Sequence, residues 1–257
     1  MKLQQDQDIT AGRPNDIAVV SPTEILVCDY CSKTVSMVDN TLGLIVAKVS
    51  VPGSPRRICV LSKGISAVTL EGKKVQFLKV GRWSLTLDSV LEFDKEVFGI
   101  ASLNNNLILS FSNPSRIAMM TLEGKLICTI DNEKAGGEVF HNRVYLTNSK
   151  DGHIFASDCD GNTVTKLDNR LVVMRTYTDP NLQSPRGIIS IGRDQLLVCC
   201  CDNSVVLLNT RTGNTTVLLG EHDGLTCPYA LTYCHTQKKL FVTSGVLSKK
   251  IQAYKIM

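Results

Sequence analysis

The chain of 257 residues is 43% hydrophobic and carries a net charge of +4. This composition suffices for a large core and excludes a disordered chain, whereas the charge is small for a dedicated nucleic-acid binder. The apolar runs have the length of strands, so no membrane span is expected. No hydrophobic leader precedes the first run, which favours a cytoplasmic location.

The ten cysteines lie mostly in apolar, strand-like contexts, and three of them are consecutive, at residues 199–201. Neighbouring side chains on a strand point to opposite faces, so this triplet cannot form a disulfide within itself. We interpret the cysteines as buried, reduced thiols, as expected for a cytosolic protein.

Short apolar runs alternate along the chain with breaks rich in Gly, Asn, Asp and Pro. The arrangement is clearest in residues 184–214, where Val and Leu fill the runs and no helical stripe fits them. This pattern predicts an antiparallel meander. It recurs six times at a spacing of about 43 residues, with copies anchored near residues 14, 55, 97, 143, 185 and 228.

Six repeats of four strands each predict an all-β fold, a six-bladed β-propeller that fills residues 1–257 as a single domain. Only five copies contain a fourth run, and residues 2–9 form an extra polar run before the first copy. We therefore expect the N-terminal strand to complete the last blade and close the ring. The alternative is a flexible N-terminal tail. Residues 131–142 depart most from the repeat and are expected to form a protruding or mobile loop.

Two segments resemble NHL repeats: PNDIAVV followed by ILVCDYCSKTVSMVD, and PRGIISI followed by LLVCCCDNSVVLL. The shared pattern is Pro-x-x-Ile, a strand ending in Asp, and Asn-x-Val. The strand-end Asp is present as Asp29 and Asp158. We interpret other residues as its replacements: Thr69, Ser110, Cys200 and Thr243. The run DPNLQSPRGI, with HDGLTCPYALTY and KLFVTS, is similar to the C-terminal propeller of tripartite-motif proteins, especially the invertebrate type.

This resemblance covers essentially the whole chain and implies a role. Tripartite-motif proteins carry RING and B-box zinc modules and a coiled coil before the propeller, and the present sequence contains no such motifs. The chain would then be the substrate-recognition end of a ubiquitin-ligase-like protein, without its catalytic part. Members of the family use the basic face of the propeller for RNA or for protein partners.

The sequence offers no convincing constellation for catalysis or metal binding. Cys28 and Cys31 form a lone C-x-x-C pair, whereas a zinc site needs four ligands. The starts of the inner strands would supply the ligands of a calcium-dependent propeller hydrolase, but they contain one carboxylate, Asp16, against three arginines. We therefore expect no enzymatic activity, no catalytic residues, no metal and no cofactor. A propeller hydrolase or lactonase is the third hypothesis.

One face of the propeller collects arginine and aromatic residues, because the turns entering the inner strands and those between second and third strands lie on the same side. We expect a partner to bind Arg13, Arg56, Arg57, Phe98, Arg186 and Tyr229 near the axis, and Tyr30, Lys33, Lys73, Arg116 and Lys249 farther out.

Arginine with aromatic neighbours is typical of protein interfaces and of platforms for single-stranded RNA. Acidic loop residues on the same side dilute the positive field: Asp94, Glu96, Glu133, Glu138, Glu221 and Asp223. We favour a protein or peptide partner, with RNA as the alternative ligand and no membrane.

Overall fold

The computed structural model describes residues 3–10, 12–62, 64–245 and 248–256. These residues form six four-stranded antiparallel sheets, the blades of a propeller. The first strand, β1 (Leu3–Thr10), belongs to blade six. Blades one to three contain, in order, β2 (Pro14–Ser21), β3 (Glu24–Asp29), β4 (Thr34–Asp39) and β5 (Leu44–Ser50); β6 (Pro55–Ser62), β7 (Ile65–Leu70), β8 (Lys74–Gly81) and β9 (Ser84–Glu92); and β10 (Val97–Leu103), β11 (Asn106–Phe111), β12 (Arg116–Met120) and β13 (Leu126–Asp131).

The remaining blades follow the same order of strands. They contain β14 (Val144–Asn148), β15 (Ile154–Asp158), β16 (Thr163–Leu167) and β17 (Val173–Tyr177); β18 (Ile188–Gly192), β19 (Gln195–Cys200), β20 (Ser204–Asn209) and β21 (Thr215–Leu219); and β22 (Pro228–Cys234), β23 (Lys239–Ser244) and β24 (Lys250–Ile256). A single 3-10 turn, Glu221–Asp223, precedes β22. None of the described residues belongs to a helix that is long and apolar enough to cross a membrane.

The first strand closes the ring, as predicted. β1 pairs antiparallel with β24, and Ile9 lies opposite Ile251 with its side chain in the core. Lys239 and Lys250 form ion pairs to aspartates of β1 at 2.7 and 3.0 Å. Residue 2, which the prediction included in this strand, lies outside the described residues.

The core lies between neighbouring blades rather than at the centre of the ring. Leu26 and Met37 of blade one, for example, pack with Val68 and Leu78 of blade two. Second and third strands are buried on both faces, which explains their continuous Val, Leu and Ile runs. The outer strands expose many of their side chains, including the large apolar Leu44.

Small polar residues near the ends of the second strands connect one blade to the next. Thr69 accepts a hydrogen bond from the Arg57 N–H at 3.1 Å and donates one to the Phe98 carbonyl of the following blade at 2.9 Å. Ser110 and Ser157 also donate to carbonyls of the blades that follow them. These bonds satisfy backbone groups of the inner strands that would otherwise lack a partner.

This register corrects one sequence interpretation. Asp29 pairs opposite Pro14, and the residue opposite Pro55 is Leu70. The true counterparts of the strand-end Asp therefore lie one position later than the small polar residues that connect the blades. The predicted replacement of this Asp is wrong for Thr69, Ser110 and Thr243. It is correct for Cys200, whose pairing with Ser204 matches that of Asp29 with Thr34.

The long connection at residues 131–142 is tied to the body of the protein at both ends. The Asn132 side chain accepts hydrogen bonds from the N–H groups of Val139 and Phe140 and donates one to the Phe140 carbonyl. The Phe140 ring is fully buried between blades three and four. Only the middle of the connection protrudes, so the predicted loop is an ordered cap with an exposed tip.

Candidate functional site

The loops that enter the inner strands and the turns between second and third strands converge on one side of the ring, which we call the axial face. A pocket of about 400 Å³ opens there around the axis. Five of the predicted residues line this axial pocket: Tyr30, Arg56, Arg57, Phe98 and Tyr229. Side chains of five blades contribute to it, including residues that the sequence interpretation left out of the site.

Arg57 closes the bottom of the axial pocket. Its side chain is 4% exposed, and its guanidinium carbon lies 4.2, 4.6 and 5.1 Å from the ring centres of Tyr145, Tyr229 and Phe98. Nη1 donates hydrogen bonds to the carbonyls of Asn15 and its neighbour at 3.0 and 3.2 Å. Nε and Nη2 are buried, and no described residue offers them a hydrogen-bond acceptor. Arg57, which was predicted to contact a partner at the surface, is therefore buried, because three rings from other blades surround it.

Two guanidinium groups lie close to the Tyr229 ring. Arg57 lies 4.6 Å from its ring centre and Arg186 lies 5.1 Å from it. Burial is the largest influence on the phenol and opposes its ionisation. The positive charges of Arg57 and Arg186, together with hydrogen bonding from neighbouring side chains, outweigh it and hold the pKa of Tyr229 below its usual value. Arg186 donates from Nη1 to the Cys227 sulfur at 3.4 Å, and its Nε has no acceptor.

Arg56, by contrast, is neutralised by the protein itself. Its Nη1 lies 2.6 Å from the Glu96 carboxylate, and its Nη2 lies 3.8 Å from Glu71. Tyr30 donates a hydrogen bond to Glu71 at 2.7 Å, which holds the pKa of this carboxyl below its usual value. The side of the axial pocket formed by blades one to three is therefore a closed ion-pair network.

The structure separates the remaining predicted residues from the pocket. Arg116 lies over the Phe111 ring at 4.5 Å and pairs with Asp94 at 3.7 Å. Arg13 points toward the Cys31 sulfur, with 3.8 Å between Nη1 and Sγ. The three predicted lysines are exposed on outlying turns: Lys33, Lys73 and Lys249.

Sequence reasoning missed several residues of the site, of which Arg143 and Tyr145 are the largest. Arg143 lines the pocket and pairs with Asp160 at 3.0 Å, and Tyr145 supplies the ring closest to Arg57. Tyr145 occupies the same repeat position as Arg57, one of the positions at the axis. The equivalent positions in blades three and five are Gly99 and Gly187. This alternation of large and very small residues at the axis is the sequence feature that could have identified Tyr145 as part of the site.

Those two glycines permit the close approach of the inner strands. A Cβ at Gly99 would lie 2.4 Å from the Val144 carbonyl oxygen, and one at Gly187 would lie 2.7 Å from the Ala230 Cα. Any side chain there would push the neighbouring blade away from the axis. The space that they leave is filled by the rings around Arg57.

A second cavity, of about 250 Å³, lies on the other side of Arg57 along the axis. It is lined by polar residues of the inner strands, among them Asp16, Asn148 and Thr232. The Asp16 carboxylate accepts a hydrogen bond from the Ile58 N–H at 2.7 Å. Burial raises the pKa of Asp16 to about 6, although the charge of Arg57 acts in the opposite direction.

The described residues contain no group of three His, Cys, Asp or Glu side chains that could hold a metal ion. Of the C-x-x-C pair, Cys28 is buried in β3 and Cys31 is exposed in the next turn, and both are free thiols. His141 bonds Asp158 through Nδ1 at 2.8 Å, which ties a loop to the end of β15.

No protein-family model and no curated protein matches the chain. Solved structures do match it over most of its length. Virginiamycin B lyase from Staphylococcus aureus is 14% identical, with 100% of both chains covered and a TM-score of 0.69. The WD40 propeller domain of Doa1 is 13% identical, covering 99% of this chain and 97% of that one, with a TM-score of 0.72. The Cps50 (Swd1) propeller domain of Myceliophteria thermophila is 10% identical, covering 95% and 82%, with a TM-score of 0.68.

Identities this low show the fold alone. The protein is an all-β, six-bladed propeller, and its structural neighbours include both lyases and WD40 domains. Propellers of either kind place ligands according to the residues on their faces and not according to the fold. Whether this propeller catalyses a reaction or binds a partner must therefore be argued from the residues of its axial face.

Proposed function

We propose that this propeller is a non-enzymatic recognition module that binds a protein or peptide partner through its axial face. The observation that carries the proposal is the axial pocket. It combines aromatic rings with arginines. Arg57, which lines the pocket, and Arg186, which lies next to it over the Tyr229 ring, form no ion pair with a carboxylate among the described residues. Concave sites that join aromatic surface with arginine are typical of binding hot spots.

The exposure of the rings favours a peptide over RNA. Single-stranded RNA binds when its bases stack on accessible rings, but Phe98 is 6% exposed and Tyr145 is 2% exposed. Carboxylates already pair with Arg56 and Arg116 on the same face. A phosphate backbone would have to compete with these pairs, whereas a peptide side chain needs only the pocket.

The proposal also favours recognition over catalysis. Two of the similar structures are streptogramin-type lyases, so the fold itself is compatible with an enzyme. In the axial pocket, however, Glu96 is bound to Arg56, and the nearby His141 is bound to Asp158. Neither group is arranged with a nucleophile as an acid–base pair.

The NHL resemblance supports a more specific role. Asp29 accepts hydrogen bonds from the Arg13 and Ser32 N–H groups, and Asp158 ties its own two loops together in the same way. The strand-end Asp therefore has a structural function that a repeat family would retain. We propose a TRIM-NHL-like, cytoplasmic protein in which residues 1–257 act as one domain that delivers a bound substrate to a ubiquitin ligase. A transcript encoding RING and B-box modules upstream would support this; one encoding an unrelated enzyme would oppose it.

The binding face is tested by selection from a displayed library of random dodecapeptides. Enriched peptides are expected to lose roughly tenfold or more in affinity for the double variant Arg56→Ala, Arg186→Ala. The matched control is Arg82→Ala, Arg193→Ala, which removes two exposed arginines from turns on the opposite face. Arg57 is left intact because it is buried. Selected peptides that bind the axial-face variant as well as the wild type would refute the proposal, as would a library that yields none.

A further inference from the structure

Two arginines at the axial pocket, Arg57 in its lining and Arg186 beside it, form no direct ion pair within the described chain. Arg56 and Arg143 each have a carboxylate partner, at 2.6 and 3.0 Å. Arg57 and Arg186 have none within ion-pair distance among the described residues, and each retains a buried Nε without an acceptor. A buried donor of a charged group that lacks an acceptor costs free energy, which an incoming acceptor would recover.

The protein itself shows which chemistry the pocket accepts. Glu96, from the loop before β10, places its carboxylate on Arg56 inside the pocket, beside the Phe98 ring. A carboxylate on a short aliphatic stem thus already fits between arginine and aromatic surface. The guanidinium groups of Arg57 and Arg186, which form no ion pair with a described residue and lie 4.6 and 5.1 Å from the Tyr229 ring centre, offer a second position of the same kind.

We propose that the axial pocket binds a carboxylate of the partner peptide, from an acidic side chain or a free C-terminus, against Arg57 and Arg186. This inference rests on the proposed function and specifies its ligand. The Tyr229 ring, which lines the pocket and is partly exposed, packs the stem of the acidic residue, and the arginines bind its charge. Glu96 lies in the same pocket on Arg56, so its negative charge opposes the binding of a second carboxylate nearby.

The test follows the Nε–Hε signals of the arginines by NMR, in protein labelled with ¹⁵N at arginine. The Arg57 and Arg186 signals are assigned by their loss in Arg57→Lys and Arg186→Lys. The probes are N-acetylglutamate N-methylamide, its glutamine analogue, N-acetylglycinate and a single-stranded RNA decamer. Capped glutamate is expected to shift both signals saturably, and capped glutamine to leave them unchanged. Shifts with N-acetylglycinate would show that a C-terminal carboxylate also suffices.

A matched pair of variants tests this effect of Glu96. Glu96→Gln is expected to strengthen binding of capped glutamate about two- to fivefold, the range expected when one partly exposed charge–charge repulsion is removed. Glu92→Gln, which removes an exposed carboxylate paired with Lys74 outside the pocket, is expected to change nothing.

The carboxylate inference is overturned if neither carboxylate probe shifts the two signals, or if capped glutamine shifts them equally. It is also overturned if only the RNA decamer shifts the Arg57 and Arg186 signals. If selected peptides still depend on Arg56 and Arg186 while capped glutamate has no effect, the carboxylate inference fails and the peptide-binding function stands. If no peptide binds the axial face, both fail.

Discussion

Replacing Arg57 by methionine should destabilise the propeller strongly. The change removes a cation from three rings, worth about 2 kcal/mol when desolvated, and two hydrogen bonds from a charged donor, worth roughly 1.5–3 kcal/mol each. Several kcal/mol are regained because a buried charge no longer has to be desolvated. The substitution also removes the positive charge that acts on the buried Asp16 carboxylate. We expect a net loss of about 3 kcal/mol in the free energy of unfolding.

Urea denaturation at pH 7, followed by far-UV circular dichroism, measures this loss. With a slope of about 1–3 kcal/mol per molar urea, the midpoint should fall by roughly 1–3 M. Arg186→Met is the matched control, because this partly buried arginine has one ring and one sulfur contact, and it should cost less than about 1 kcal/mol. Equal midpoints for Arg57→Met and the wild type would refute the argument that the ring cage is stabilising.

Three further predictions concern the axis and the closure. Gly99→Ala should cost about 1–3 kcal/mol in thermal or urea unfolding, because its Cβ meets the Val144 carbonyl, whereas Gly137→Ala, with nothing within 4 Å, should be neutral. Because the folded-state pKa of Asp16 is raised to about 6, the free energy of unfolding should fall as pH rises from about 4 to 6 and then level off. In Asp16→Asn this decline should be about 1–3 kcal/mol smaller. Parallel plots of unfolding free energy against pH for the two proteins would contradict the prediction. Deleting β1 should lower the unfolding midpoint and cause concentration-dependent association, seen by size-exclusion chromatography, because it exposes the edge of β24; a monomer of unchanged stability would contradict this.

The repeat period made the fold and the closing strand predictable, because each blade is specified by its own runs and turns. The side of the ring on which the arginines lie was predictable for the same reason. What the sequence could not show is how deeply each one is buried. Arg56 and Arg57 are neighbours, yet one lies in an ion-pair network and the other is surrounded by rings.

That difference depends on residues in other blades. Arg57 turns inward because Tyr145, Tyr229 and Phe98 approach it from three blades, and glycines elsewhere at the axis leave them room. The misplaced alignment of Thr69 with the strand-end Asp had a similar origin. A shift of one residue within a strand reverses the face, and only the pairing with neighbouring strands fixes it.

The pairing of β1 with β24 also affects the order in which the molecule can fold. The ion pair between Lys250 and Asp8 joins residues that are 242 positions apart in sequence. During synthesis, blades one to five can form as they emerge. The strand β1 has no partner until β24, the last strand, has been made. Closing so long a loop carries a large entropic cost before any contact repays it, and topologies of this kind fold slowly. Completion of the ring is therefore expected to be the late step, with blade six the last to become protected from hydrogen exchange.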